Sequence, residues 1–149
     1  MRENKLQASF TSYKRVDENF SPLGIRKSPI NKDLNYQSLL NENPIGCSTV
    51  VVDQKAIGSS RFPLIRKRND YGYWLLLAKK GVVFSGIDKV LCEYRVRKNS
   101  LSGNKISAAL YQWKLYREIE NLNIFQTSFY FSKYVIRNVL LRVYERLLL

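Results

Sequence analysis

The chain has 149 residues, of which 45% are hydrophobic, and it carries a formal net charge of +13. This composition is sufficient for one domain with a hydrophobic core and argues against global disorder. The chain contains no histidine, which excludes the commonest general base and metal ligand. Acid–base chemistry near neutral pH would therefore fall to a carboxylate, a tyrosine or a lysine.

The positive charge favours a partner that carries phosphate, such as nucleic acid, an anionic membrane or a phosphorylated small molecule. The basic residues are spread along the whole chain, with no helix-turn-helix, RNP or zinc-finger signature, so we expect no nucleic-acid partner. The N-terminal segment lacks the apolar run of a secretory signal, which predicts a cytoplasmic location. Cys47 and Cys92 lie in apolar segments without metal-site or redox spacing, and we expect both to be reduced core residues.

The sequence of the first third of the chain predicts short strands and helices joined by loops. Residues 10–29 predict a short strand, a turn and an irregular exit. Residues 31–44 predict a helix that Asn31 or Asp33 would cap. The β-branched run at 47–53 is short enough to be a buried strand.

The second half of the chain predicts longer elements. Residues 70–81, "DYGYWLLLAKKG", begin with an acid and end with two lysines and a glycine, which predicts a helix with Asp70 at its N-terminus. Residues 82–97 predict two short strands or a strand pair, a polar loop follows at 98–105, and residues 106–122 predict another helix. The alternation of short strands with helices predicts an α/β or α+β fold.

Asp70 has two interpretations. Aspartate and asparagine are among the best helix caps, so Asn69 or Asp70 could simply satisfy free backbone N–H groups. A functional role needs a substrate-binding loop nearby, and residues 94–105, "YRVRKNSLSGNK", offer arginines, lysines, hydroxyls and glycine backbone suited to a diphosphate. An ordinary solvated basic turn is the alternative for that loop.

Five segments, in this order, resemble a known family. They are "FTSY" at 10–13, "NPIGCSTVVVD" at 43–53, "FPLIRKRNDYGYWLLLAKKG" at 62–81, "VLCEYRVRKNSLSGNK" at 90–105 and "YQWKLYR" at 111–117. Together they resemble the C-terminal part of a bacterial family 2 glycosyltransferase of the GT-A type, the kind that builds O-antigen, capsule or other surface polysaccharides. The resemblance runs from about residue 8 to about residue 140. It implies an α/β fold that forms the acceptor-side half of a nucleotide-diphospho-sugar transferase, without the N-terminal Rossmann-like half.

The resemblance implies transfer of a sugar from a nucleotide-sugar donor to a lipid-linked glycan acceptor, with inversion. Asp70 matches the catalytic base that takes the proton of the acceptor hydroxyl. The positions that match the donor diphosphate site are Arg95, Arg97, Ser100 and Lys105, and Arg97 stands where many relatives have a histidine. The positions expected near the acceptor are Thr49, Arg68, Tyr73 and Trp74, with a place in the apolar core as the alternative for the two aromatic residues.

The resemblance also implies a divalent cation, Mg²⁺ or Mn²⁺, which an Asp-x-Asp motif holds in this family. The only two acids separated by one residue are Glu118 and Glu120, and inside a predicted helix they would point to different faces. We therefore expect no metal ligand in this chain. Alone it is expected to be inactive, and it would need a complementary N-terminal half. A catalytically inactive remnant, or a basic module that binds a membrane or a partner, is the alternative function.

We expect two regions in the chain. Residues 1–128 would form the acceptor-side part, and residues 129–149 would form a basic amphipathic helix. A membrane span needs about 20 predominantly apolar residues, and charged residues interrupt this segment. The pattern favours a helix at an anionic membrane surface, which would place the protein at the inner face of the plasma membrane. Packing against a partner or another domain is the alternative.

Overall fold

The computed structural model describes residues 6–29, 32–97 and 105–147, and it describes their side chains except at 105, 141–142 and 144–147. Its strands are β1 (Ala8–Val16), β2 (Pro22–Arg26), β3 (Asp33–Leu34), β4 (Val51–Val52) and β5 (Phe84–Arg95). Its α-helices are α1 (Tyr36–Asn41), α2 (Gln54–Ile57), α3 (Asn69–Lys79), α4 (Lys105–Lys114) and α5 (Ile124–Leu147). A 3₁₀ turn forms at Cys47–Thr49, and a π-helical turn at Leu115–Ile119 continues α4.

The five strands form one mixed sheet in the order β2-β1-β5-β3, and β4 also pairs with β1. The two central strands, β1 and β5, are parallel. Each of the other strands pairs in the antiparallel direction with one of these two. Helix α1 lies between β3 and β4 in the chain, and α2 and α3 lie between β4 and β5. The mixed sheet and these helices confirm the α/β class predicted from the sequence.

Residues 82–97 do not form the predicted pair of strands, because β5 is one continuous strand of 12 residues. Its register with β1 is regular from the Ala8–Phe84 pair to the Thr11–Ile87 pair. The next pair is Ser12–Val90, so β5 carries extra residues at this point. Such a bulge bends the strand and breaks the alternation of side chains, which explains why the sequence pattern resembled two strands.

The hydrophobic core lies between the sheet and α3. Side chains around nearly the whole circumference of α3 are buried, as expected for a helix that is apolar on all faces. The largest fully buried side chains of the core include Phe10, Phe84, Leu34, Leu39, Leu75, Leu77, Leu115 and Tyr116.

Two buried tyrosines connect helices α3 and α4 to α1. The Tyr71 hydroxyl donates a hydrogen bond to the Leu39 carbonyl at 2.5 Å, and the Tyr116 hydroxyl donates one to the Leu40 carbonyl at 3.0 Å. Burial is the largest cause that raises the pKa of both hydroxyl groups above the ordinary value. Both tyrosines therefore stay protonated in the folded chain at a pH at which an unfolded chain loses these protons.

We expect the chain to lose stability steeply as the pH rises above about 10, the ordinary tyrosine pKa. Above that pH the unfolded state binds fewer protons than the folded state, so the free energy of unfolding falls as the pH rises. Each fully buried tyrosine contributes about 1.4 kcal/mol per pH unit in this range. Urea unfolding of the parent and of Tyr116→Phe between pH 9 and pH 11 measures this contribution, because the variant should show the shallower fall. Equal slopes would contradict it.

Two further expectations from the first half of the chain need correction. Asn35 caps α1, with its Oδ1 accepting a hydrogen bond from the Ser38 backbone N–H at 2.9 Å, whereas Asp33 lies in β3 and Asn31 lies outside the described residues. The run 47–53 does contain a strand, but this strand is only β4 (Val51–Val52) after a 3₁₀ turn, and it is not buried, since Val51 is 58% exposed.

The cysteines are not core residues. Both are free thiols, but Cys47 is exposed and Cys92 is half-buried. The 3₁₀ turn places Cys47 at the surface, and the bulge in β5 changes which residues of the strand face the core.

The C-terminal part is one helix, α5, which begins at Ile124 and runs across the predicted division between residues 128 and 129. Tyr130 and Phe131 pack against the core. Within the described ranges, every helix is too short or too polar to span a bilayer.

Candidate functional site

A cavity of about 280 Å³ surrounds Asp70. The head of α3 supplies Arg68 and Asp70, and the loop at 43–49 supplies a second wall. The third wall comes from the sheet, with Tyr13 of β1 and with Cys92 and Tyr94 of β5. The cavity is therefore built from three parts of the chain that are distant in sequence.

Asp70 lies in the first turn of α3 and is half-buried. Its Oδ1 accepts a hydrogen bond from the Tyr71 backbone N–H at 2.8 Å. Of the hydrogen bonds between described residues, this is the one that holds the carboxylate, so the second oxygen can accept a proton from a bound molecule. The N-cap position of α3 is Arg68, which makes no side-chain cap hydrogen bond. One oxygen of Asp70 satisfies a free backbone N–H of the first turn, and this leaves the other oxygen for a catalytic role.

Arg68 occupies the residue before α3 in the left-handed region, with φ of 66°. Its Nη2 donates a hydrogen bond to the Tyr134 hydroxyl at 2.7 Å, and the guanidinium lies 5.4 Å from the centre of that ring. These contacts direct Arg68 toward α5. No ion pair joins Arg68 to Asp70 within the described part of the chain. The Asp70 carboxylate is therefore not neutralised by a direct contact with Arg68.

Thr49 and Cys47 form the wall opposite Asp70 in the loop. The Thr49 hydroxyl donates to the Gly46 carbonyl at 2.8 Å and closes the 3₁₀ turn. Partial desolvation, and next the negative charge of Asp70, raise the pKa of the Cys47 thiol. Cys47 is thus a reporter of the carboxylate charge inside this cavity.

We expect Asp70→Asn to speed alkylation of Cys47 by iodoacetamide at mildly alkaline pH. Removal of the negative charge lowers the thiol pKa, and the thiolate is the reactive form. The measurement uses a Cys92→Ser background so that modification reports Cys47 alone. Asp53→Asn, which removes a carboxylate outside the cavity, is the control and should leave the rate unchanged. An unchanged rate in Asp70→Asn would mean that the carboxylate does not act on Cys47.

Of the predicted donor-site residues, Arg95 and Arg97 do not line this cavity. Arg95 is the last residue of β5, and its guanidinium lies 5.2 Å from the Phe20 ring. Because side chains alternate along a strand, Arg95 faces away from the side to which Tyr94 points. Arg97 is exposed beyond the strand. Ser100 and the side chain of Lys105 lie outside the described residues.

Two of the predicted acceptor residues, Tyr73 and Trp74, lie in the core, with exposures of 5% and 4%. Phe62 stacks on Tyr73 with ring centres 4.1 Å apart, and Phe84 contacts Trp74 edge to face. Neither lines the cavity around Asp70, whereas Thr49 and Arg68 do. A role for the two aromatic residues in acceptor binding stays a prediction.

Sequence reasoning missed Tyr13 and Tyr94 as residues of the cavity. Their rings meet edge to face with centres 5.8 Å apart, and both lie on the cavity wall. The two tyrosines belong to the segments quoted for the family resemblance, but only the register of β1 with β5 places them together.

The residues that the structure describes contain no group of three acidic, cysteine or histidine side chains that could hold a metal ion. Glu120, one of the two acids separated by one residue, is buried. It pairs with the Lys79 ammonium at 2.8 Å and accepts a hydrogen bond from the Tyr36 hydroxyl at 2.6 Å. It therefore has a structural role. The described residues do not fit a divalent-cation site.

The chain is similar to bacterial glycosyltransferases. It is 38% identical over 135 residues to TuaG of Bacillus subtilis, which is named for a glycosyltransferase of teichuronic acid biosynthesis, and covers 53% of that protein with 90% of its own length. It is 31% identical over 119 residues to WfaP of Escherichia coli, covering 46% of it with 80% of its own length. It is 30% identical over 114 residues to WfgD of Escherichia coli, covering 44% of it with 76% of its own length.

WfaP and WfgD are both named as UDP-Glc:α-D-GlcNAc-diphosphoundecaprenol β-1,3-glucosyltransferases. No family model and no solved structure matches the chain. The chain spans about half the length of the relatives that it matches. By its sequence it is homologous to part of the bacterial glycosyltransferases of surface polysaccharide biosynthesis.

Proposed function

We propose that this chain is the acceptor-side part of a family 2 glycosyltransferase of the GT-A type, which transfers a sugar from a nucleotide-sugar donor to a lipid-linked glycan. One observation carries the proposal. In a chain related to glycosyltransferases, the carboxylate of Asp70 lies in a cavity of about 280 Å³ with one oxygen free of described hydrogen bonds. A carboxylate so placed is suited to accept the proton of a bound hydroxyl.

In the proposed reaction, Asp70 takes the proton of the acceptor hydroxyl as that oxygen attacks the anomeric carbon of the donor sugar. The bond from that carbon to the diphosphate breaks, and the nucleotide diphosphate leaves with the electron pair. A single displacement of this kind inverts the anomeric configuration. The hydrogen bond from the Tyr71 backbone N–H holds the carboxylate in position.

We propose that Thr49 and Arg68 contact the acceptor, because both line the cavity with Asp70. Arg95, Arg97, Ser100 and Lys105 are proposed to bind the donor diphosphate, where positive charge would stabilise the leaving group. The use of Mg²⁺ or Mn²⁺ stays a prediction, and no step of the reaction above is assigned to a cation.

The names of WfaP and WfgD suggest the first substrates to test, a UDP-glucose donor and a polyprenyl-diphosphate-linked sugar acceptor. In the test, the chain is co-expressed with the part of a relative that it does not match. Transfer of radiolabelled glucose from UDP-glucose into extracted membrane lipid is then measured. We expect transfer only when both parts are present, and a product with the inverted anomeric configuration. Absence of transfer in every pairing would favour the non-catalytic module instead.

We also propose that α5 lies on an anionic membrane surface, so that the chain is peripheral at the cytoplasmic face of the plasma membrane. Large hydrophobic side chains on this helix are exposed, namely Ile124, Phe125, Phe129, Val135, Ile136, Val139, Leu140 and Val143. Lys133 lies above one of these, with its Nζ 4.3 Å from the Phe129 ring centre. A helix with apolar and basic side chains exposed together fits an anionic interface.

We expect the chain to sediment with vesicles that contain phosphatidylglycerol and to remain in the supernatant with phosphatidylcholine vesicles. Each basic residue near an anionic surface contributes about 1 kcal/mol. The double variant Phe125→Ser and Phe129→Ser should weaken binding without removing a charge. Equal binding to both kinds of vesicle would contradict the electrostatic part of the proposal.

A further inference from the structure

A second cavity, of about 170 Å³, lies where α5 meets the heads of the other elements. Its walls come from the end of β2, the residues that follow α1, the head of α3, and helices α4 and α5. Arg68 and Asn43 line both this cavity and the one around Asp70. The two cavities therefore adjoin.

The walls of the second cavity carry three cations and one anion. The cations are Arg26, Arg68 and Arg137, and the anion is Glu42. Glu42 is already paired, because it contacts Arg137 and lies 3.7 Å from Lys32. The lining thus has a surplus of positive charge.

This arrangement is electrostatically unfavourable for the chain by itself. Burial, and next the positive charge of Arg26, lower the pKa of Arg137. Like charges held near one another in a partly desolvated site repel more strongly than they do in water. A bound anion would relieve this repulsion.

An unpartnered donor also faces the cavity. Gln112 is 1% exposed and lines the cavity, and its Nε2 has no hydrogen-bond partner among the described residues. The Gln112 amide is near enough to the Tyr116 hydroxyl to lower the pKa of that hydroxyl, but the two groups do not form a hydrogen bond. A buried N–H group without an acceptor costs about 1–3 kcal/mol, so an acceptor at this position is expected.

We propose that the second cavity is an oxyanion site that binds a phosphate or diphosphate group. Arg26, Arg68 and Arg137 supply the positive charge, and Gln112 donates a hydrogen bond through Nε2. The Tyr134 hydroxyl accepts from Arg68, which leaves its own proton to donate. The volume of about 170 Å³ equals that of about six water molecules at about 30 Å³ each, which is room for a tetrahedral oxyanion.

Diphosphate occurs both in the lipid-linked acceptor and in the nucleotide donor of the proposed reaction. The choice between these two sources rests on the proposed function, but the oxyanion site itself does not. Binding is a property of the folded chain and needs no sugar transfer. A failure to bind diphosphate would overturn this inference and leave the assignment of Asp70 untouched.

The test is isothermal titration calorimetry of the full chain with inorganic phosphate and inorganic diphosphate at constant ionic strength. Two variants probe the cavity, Gln112→Leu, which removes the donor, and Arg26→Gln, which removes one charge. Lys55→Gln removes one exposed charge from α2 and is the control for general electrostatics. Urea unfolding of each variant verifies that it is folded, and Gln112→Leu should be at least as stable as the parent because it loses an unsatisfied group.

We expect diphosphate to bind and each cavity variant to weaken binding about tenfold, the factor that corresponds to about 1.4 kcal/mol. Lys55→Gln should bind as the parent does. The absence of binding, or equal affinities of the parent and both cavity variants, would overturn the proposal. Parallel titrations with farnesyl diphosphate and uridine diphosphate then identify the source, since the tighter ligand shows whether the site prefers a lipid or a nucleotide diphosphate.

Discussion

The variant Asp70→Asn is expected to lower the rate of sugar transfer by about 10²–10⁴-fold, the range that a positioned general base contributes. Asparagine has the shape of aspartate but cannot take a proton from the acceptor hydroxyl. Its side-chain oxygen can still accept the hydrogen bond from the Tyr71 backbone N–H, so the head of α3 should keep its conformation. The loss should therefore appear in activity and not in the free energy of unfolding.

A matched control for this variant is Asp53→Asn. Asp53 caps α2, and its Oδ1 accepts from the Lys55 backbone N–H at 2.8 Å, so it is also a carboxylate at a helix start that accepts a backbone hydrogen bond. It does not line the cavity around Asp70. Transfer is measured with both parts of the enzyme co-expressed, as for the parent. A parent-like rate in Asp70→Asn would remove Asp70 from the role of base, and a similar loss in Asp53→Asn would attribute the effect to the loss of a negative charge at a helix start.

The position of Asp70 could be predicted from the sequence because it depends on local chemistry. An acidic residue before an apolar run that ends in two lysines and a glycine indicates a helix with that acid in its first turn, and α3 has Asp70 there. Thr49 and Arg68 were placed near it by the resemblance alone. They line the same cavity because the loop at 43–49 folds back onto the head of the helix.

The sheet side of the cavity could not be predicted, because it depends on register. Tyr94 and Arg95 are neighbours in β5 and point to opposite faces of the sheet. Which of them faces the cavity depends on the bulge in the strand. β5 has extra residues opposite Thr11 and Ser12. A shift of one residue moves the following side chains to the other face of the sheet. The resemblance assigned Arg95 to the donor diphosphate and gave no role to Tyr94, which lines the cavity around Asp70.

The second cavity was beyond sequence reasoning for a different reason. Arg26, Arg68 and Arg137 are far apart in the chain, and each belongs to a different element. Gln112 lies in the middle of a helix, where its residue type carries no signal. Only the packing of α5 against α1 and α4 brings these side chains together, and helix packing of this kind leaves no local motif.

Gly86 lies next to the bulge of β5 and makes a close contact with another segment of the chain. The segment after β2 crosses the sheet here, and Ser28 holds it in place. The Ser28 backbone N–H donates to the Ser12 hydroxyl at 2.9 Å, and the Ser28 hydroxyl donates to the Ile87 carbonyl at 2.9 Å. A Cβ at position 86 would overlap the carbonyl oxygen of Pro29 and lie 3.1 Å from its carbonyl carbon.

We therefore expect Gly86→Ala to destabilise the chain by about 3 kcal/mol or more, the upper range for inserting an atom into a packed site. The opposing gain from a less flexible unfolded chain is smaller, about 0.4–1 kcal/mol. Gly81→Ala is the control, because Gly81 has φ of 89° but nothing within 4 Å of its Cβ position. It should cost about 1–2 kcal/mol from backbone strain alone. Urea unfolding followed by tryptophan fluorescence measures both, and equal midpoints for the two variants would show that the chain at Pro29 moves away from β5 without cost.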